Sequence, residues 1–191
     1  AVVAAVSKLE KEEIFKNLAT NYLYKDIFVF ESIRNPRIFE QLVKLLAYQI
    51  GNIVSINELA QSLGISRSVV LRYLRLLEQS FIIKIIHSFS TNSRNELKKS
   101  FKVYFYDTGV RNALVDTQTN LSERSDKGAL WENYYLSEKL KAHTLETFPP
   151  EIMFWRRRDG MEIDIIEKSG EKINAIECKW QTENFSFTSF L

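Results

Sequence analysis

Cysteine and histidine are nearly missing from these 191 residues. The single Cys178 excludes an intramolecular disulfide, and with only His87 and His143 beside it a Cys/His zinc cluster is excluded too. Metal chemistry would have to use oxygen ligands. The six glycines form neither a GxxxxGK loop nor a GxGxxG turn, so no phosphate-cradling site is present and the chain by itself binds no ATP. No apolar run approaches the ~20 residues that span a bilayer, and the opening AVVAAVSKLEKEE lacks the basic start and cleavage site of a signal peptide. A soluble, cytoplasmic chain without a membrane partner is predicted. Hydrophobic residues make up 45% of the chain, enough to bury a core and too many for disorder.

The formal net charge of +2 hides an uneven distribution. Residues 1–54 carry 7 basic and 6 acidic groups, residues 55–105 carry 8 against 3, and residues 106–191 carry 11 against 15. A basic segment beside an acidic one suggests a polyanion-facing module joined to one that concentrates carboxylates. Chance differences between solvated faces would give the same totals.

Apolar positions in the first third recur at helical spacing, and Asn35-Pro36 marks the start of a helix that ends near Gly51. Residues 1–35 lack Met at their start and have no partner helix in their own segment. They read as a helical tail belonging to a missing N-terminal part. Ser55 with Glu58 three residues later forms a capping box opening a short helix that Gly64 ends, and Ser66 is placed to cap a second helix. At about 100° per residue, Arg67, Ser68, Arg72 and Arg75 share one face of that second helix. After it come FIIKIIHSF and FKVYFYD around a basic loop, a winged hairpin. Residues 36–107 thus read as a winged helix-turn-helix domain, with Ser66, Arg67, Ser68, Arg72 and Arg75 and the loop residues Arg94, Lys98 and Lys99 as candidate nucleic-acid contacts, DNA being the commonest partner of this shape. Helix-turn-helix domains also dock proteins, and Leu71 in the middle of the polar face counts against groove insertion.

Beyond Pro149-Pro150, two β-branched runs flank Ser169-Gly170, a two-residue hairpin turn. That turn sets Lys168 opposite Glu171, Glu162 opposite Glu177 and Asp164 opposite Ala175. Glu162, Asp164, Glu177 and Lys179 then share one face, with Ile163, Ile165, Ile176 and Cys178 on the other. Three repelling carboxylates beside one lysine would be relieved by Mg²⁺ or Mn²⁺, and that set suits phosphodiester hydrolysis. A solvent-exposed face with a cross-strand ion pair to Lys179 fits the same residues. Glu132, inside the apolar helix KGALWENYYLSEKLK, is either rotated to the rim or part of the carboxylate set.

Glu132, Asp164 and the Glu177-Cys178-Lys179 string resemble the helix-Glu, D and (D/E)xK elements of the PD-(D/E)XK nuclease superfamily. The strings YLYKDI, RYLRLLEQSFII, KVYFYDTGVRNAL, GALWENYYLSEKL, FWRRRDGMEIDII and AIECKW, in that order, resemble the C-terminal half of AAA+ type ATPases common in archaea and many bacteria. The resemblance covers residues ~20 to ~181. It implies a P-loop ATPase domain, holding ATP, before residue 36, and an α/β chain in which the winged helix precedes a restriction-endonuclease-like domain over 108–191, incomplete at its C-terminus. It makes Glu132, Asp164, Glu177 and Lys179 the catalytic set, Asp164 and Glu177 the main metal ligands, Glu162 an auxiliary one and Lys179 the catalytic lysine. Ile163 stands where the superfamily has proline. The implied function is a DNA-acting module with a Mg-dependent nuclease-like part; the alternative is a catalytically silent nucleic-acid- or protein-binding module, self-association included, that regulates or targets the ATPase.

Overall fold

Asn35 accepts a hydrogen bond from the Ile38 N–H and Pro36 takes the first helical position, so helix α1 (Pro36–Tyr48) begins where a missing proline N–H costs nothing. The computed structural model describes residue 33 and residues 35–89, 100–115, 120–157 and 159–181. All but Ile33 and Asn35 of the tail predicted over 1–35 lies outside them, as do Arg94, Lys98 and Lys99. After α1 come β1 (Ile53–Val54), α2 (Ile56–Leu63) and α3 (Arg67–Gln79). Ser55 caps α2 through the Glu58 N–H, and Gly64, with φ +63°, ends it. Ser66 stands at the start of α3 without capping it. Its hydroxyl bonds instead to that of Ser68 at 2.8 Å, because the two short side chains meet before either reaches a backbone donor.

The chain continues through β2 (Ile83–Ser88), β3 (Phe101–Phe105), α4 (Thr108–Leu114), a 3-10 turn (Leu121–Glu123), α5 (Lys127–His143), β4 (Glu151–Arg156), β5 (Glu162–Ser169) and β6 (Lys172–Ile176). The described residues form a mixed α/β structure with five α-helices and one six-stranded sheet, order β1-β3-β2-β4-β5-β6. Only β2 and β4 pair in parallel; the sheet therefore runs through the boundary drawn at 107/108. Among the described residues no helix is long and apolar enough to cross a membrane.

Strand β3 is buried on both faces. Phe101, Val103 and Phe105 join the apolar residues of α1, α2 and α3, where Phe39 meets Tyr73 edge to face with centroids 5.2 Å apart. On the other face Tyr104 packs with Ile86, Leu136 of α5, Phe154 of β4 and Ile165 of β5. The buried Asn133 carboxamide accepts the Phe105 N–H at 2.8 Å and donates to its carbonyl at 2.9 Å, completing the edge of β3 where two-residue β1 no longer reaches. Behind it, Arg111 of α4 donates to the Ala47 carbonyl and to Asp126, which Arg124 also grips; all three hold α4 and the start of α5 to the end of α1.

The β5-β6 register differs from the predicted one by two residues. Ser169 pairs with Lys172, so the turn is Gly170-Glu171 rather than Ser169-Gly170. Gly170, with φ +61°, takes the first central position, where a II′ turn calls for glycine. The expected sharing of one face by Ile163 and Ile165 is also corrected. Between Met153↔Ile166 and Trp155↔Ile163 the register steps, three residues of β5 facing two of β4, and this bulge sends Ile163 to Met153 and Ile166 while Ile165 stays with Tyr104 and Leu136.

At its far end α5 is tied to β5 by His143, whose Nδ1 meets Glu146 at 2.7 Å and whose Nε2 meets Glu167 at 3.0 Å; Lys139 also reaches Glu167. Burial disfavours the charged ring, but Glu146 and Glu167 outweigh it and raise the histidine pKa. Burial likewise opposes ionised Glu167, and Lys139 and His143 outweigh it and lower that pKa. The histidine's contribution is therefore full below its ordinary pKa and lost as pH rises through the raised value, whereas that of Glu167 is present above the ordinary carboxylate value and lost as pH falls through the lowered one. His143→Gln should then lower stability relative to wild type more at pH 6 than at pH 9. Urea unfolding of both proteins at the two pH values checks this, and an equal deficit at both would rule out a charged His143.

Candidate functional site

The charged groups of the second half gather around a residue outside the predicted set. Lys102 lies on β3 between the buried Phe101 and Val103, and only 1% of its side chain is exposed. Its ammonium meets Glu132 Oε1 at 3.1 Å, is bonded to Glu162, and stands 5.3 Å from the centroid of the Phe154 ring. Tyr104, two residues on and so on the same face of β3, donates its hydroxyl to the same Glu132 oxygen. Gly51 (φ +72°) passes close to the other oxygen: a Cβ there would stand 3.1 Å from Glu132 Oε2. Glu132 is thus buried under the sheet and not at the rim of α5.

Asp164 belongs to the same neighbourhood but has its own partner, the Cys178 N–H at 2.8 Å. The register carried one step past the end of β6 brings Glu177 opposite Asp164. Lys179 is bonded to Glu177, and about half of its side chain is exposed. Glu162 is turned to Lys102 and to Arg156, 3.4 Å away. Of the predicted residues, Glu132, Glu162 and Asp164 are therefore brought around Lys102 and Tyr104, while Glu177 and Lys179 pair with each other at the margin.

Burial raises the pKa of Glu132 against the pull of Lys102 and Tyr104, and raises that of Asp164 against the Cys178 N–H. Burial alone would lower the Lys102 pKa, but Glu132 and Glu162 outweigh it, so the ammonium is held above the ordinary lysine value. Burial and the carboxylates of Asp164, Glu132 and Glu177 push the half-buried Cys178 thiol up to about 12.

Of the carboxylates predicted to hold Mg²⁺ or Mn²⁺, Asp164 and Glu177 stand opposite each other in the register, whereas Glu162 is engaged by Lys102 and Arg156. Among the described residues no three His, Cys, Asp or Glu side chains are placed to hold a metal ion. The Lys102 ammonium answers Glu132 and Glu162, while Asp164 still feels the like charge of Glu177. Sequence reasoning counted Lys102 only as one basic residue of a basic segment. A lysine inside the apolar run FKVYF carries the same signal as a glutamate inside GALWENYYL, and each marks the other's counter-charge.

The second candidate surface is the outer face of α3. Ser66, Arg67, Ser68, Arg72 and Arg75 are all exposed, with Arg72 lying 5.4 Å from the Tyr73 ring. Among the described residues none of the three arginines is paired with a carboxylate.

With the two surfaces defined, the chain is a mixed α/β protein whose sheet carries a buried lysine-carboxylate cluster on one side and a basic helix on the other. It belongs to the family described as Domain of unknown function (DUF8612), which matches residues 1–123. Residues 127–190 match Domain of unknown function (DUF4143), a domain found in AAA-ATPase-associated C-terminal regions. Uncharacterized proteins of Mycobacterium bovis and Mycobacterium tuberculosis are each 32% identical over 129 residues, 66% of this chain and 28% of their own length. An uncharacterized protein of Methanocaldococcus jannaschii is 27% identical over 161 residues, 82% of this chain and 34% of its own. The chain thus spans about a third or less of these curated relatives. No solved structure matches.

Replacing Lys102 by Met should destabilise the chain by about 3–5 kcal/mol, because Glu132 is left buried without its cation and half-buried Glu162 keeps only Arg156. Adding Glu132→Gln to Lys102→Met should recover part of the loss. Urea unfolding measures both, and a Lys102→Met protein as stable as wild type would show that the ammonium does not hold the cluster.

Proposed function

We propose that this chain is the DNA-binding C-terminal module of a longer AAA+ type ATPase, in which residues 36–107 act as a winged helix and the nuclease-like half is silent in hydrolysis. The observation that carries the reading is the outer face of α3. Arg156 and Arg157 elsewhere on the surface are paired with Glu162 and Asp159, yet Arg67, Arg72 and Arg75 are exposed with no carboxylate partner among the described residues. Three unpaired guanidinium groups in one arc suit phosphate oxygens, which accept their fork of donors and release counterions on binding. Ser66 supports this from the helix start: because its hydroxyl caps no backbone N–H, the first turn of α3 keeps donors for a phosphate. The match of residues 127–190 to a domain of ATPase-associated C-terminal regions supports the longer parent, whose ATP-driven activity and protein partners stay part of the proposal.

Silence in hydrolysis rests on the Lys102 cluster, where Glu132 and Glu162 serve as counter-charges joining β3 to α5 and β5. Hydrolysis is the second reading, favoured by Asp164 facing the Glu177–Lys179 pair. Incubating supercoiled DNA with the protein and Mg²⁺ separates the two: intact DNA is expected, and nicking that Asp164→Asn abolishes would establish the second.

Replacing Arg72 and Arg75 by Ala should weaken binding to duplex DNA and reduce the salt slope by about one for each phosphate that α3 no longer neutralises. Fluorescence anisotropy at several salt concentrations gives both quantities. Unchanged affinity and slope would remove α3 from the interface.

A further inference from the structure

One residue on the outer face of α3 is not explained by phosphate contact. Leu71 is 41% exposed and joins none of the buried clusters, although it sits at the centre of the basic arc. Arg67, Leu71 and Arg75 follow one another at four-residue spacing, so they form a single stripe along the helix with Ser68 and Arg72 beside it. At 1.5 Å per residue the two outer arginines start about 12 Å apart, close to the ~12 Å width of the DNA major groove. A helix directed across that groove would set Arg67 and Arg75 toward the two backbone walls. The residue midway between them then faces the base edges.

Leucine can neither donate nor accept a hydrogen bond, and the charged phosphates give it no favourable contact. The major groove offers one apolar group to such a side chain, the C5-methyl of thymine. We propose that Leu71 is the base-reading residue of this module, packing against thymine methyl groups while the flanking arginines hold the phosphates, and that the module prefers A·T-containing duplex for this reason. The proposal rests on the DNA-binding reading above and adds the chemistry by which sequence is read.

The test uses two alternating duplexes, one of dA and dT and one of dA and dU, which differ chemically only in the thymine methyl. Binding of the full chain to each is measured by fluorescence anisotropy at one fixed salt concentration. Wild type should bind the dA-dT duplex about fourfold tighter, the amount expected for burying one methyl group. Leu71→Ala should bind both duplexes equally, with the salt slope of wild type, since alanine keeps the helix and the arginines but cannot reach the methyl. Equal binding of the two duplexes by wild type would overturn the proposal and leave DNA binding standing. A preference for dA-dT that survives in Leu71→Ala would overturn it as well, because the methyl would then be read elsewhere or through duplex shape. If wild type binds neither duplex, the DNA-binding reading itself falls and this inference with it.

Discussion

A single ammonium group, that of Lys102, sets the condition under which the rest of this structure can form. Taking a lysine out of water costs several kcal/mol, and the cost is offset only where carboxylates and hydrogen bonds surround it closely. Here the partners come from different parts of the chain: Lys102 from β3, Glu132 from α5 and Glu162 from β5. Strand β3 cannot bury its second face without α5, and Glu132 cannot be buried without β3. The apolar residues flanking this contact, Tyr104, Leu136, Phe154 and Ile165, close around it and exclude the water that would weaken it. The helix-and-hairpin part and the sheet extension behind it are therefore one continuous structure, joined by charge between Lys102 of the one and Glu132 and Glu162 of the other.

Much of the local structure was legible from residues with strong backbone meanings. Asn35-Pro36, Ser55 with Glu58, and Gly64 act through their own φ preferences and short side chains, and each stands where the sequence places it. The turn at Gly170 was found but displaced, because a Ser-Gly-Glu run allows glycine at either central position and only the strand pairing decides. The bulge in β5 was invisible for a related reason: alternation along EIDII is regular, and the irregularity arises from how β4 crosses it. Ser66 shows the limit of capping signals, since a neighbouring Ser68 competed for its hydroxyl. Of the candidate site, the carboxylates were legible as unusual charges in apolar surroundings, but the cation that answers them lies 30 residues before Glu132 in a strand assigned to another unit.

The strings that carry the family resemblance serve largely structural ends. Asp107 caps α4, Arg111 and Arg124 bracket Asp126, Asn133 finishes the edge of β3, and Glu132 neutralises Lys102. Glu132 and Glu162 are thus engaged inside the fold by a lysine that the nuclease motif does not include. On the opposite side the pattern is reversed: α3 holds three arginines and a leucine exposed, with Arg72 against the Tyr73 ring and none of the three arginines paired with a carboxylate among the described residues. Groups held in solvent without partners are where contact with another molecule is to be sought, whereas groups already satisfied inside the fold are where it is not.

The charge state of Lys102 can be observed directly by nitrogen-15 NMR of the lysine side chains across a pH titration. With Glu132 and Glu162 beside it, the Lys102 ammonium should remain protonated above the pH at which the exposed lysines titrate, and its protons should exchange slowly enough with water to be seen. A Lys102 signal that titrates below those of the exposed lysines, with rapidly exchanging protons, would mean that burial outweighs the carboxylates and would contradict a structure held together at this point by charge.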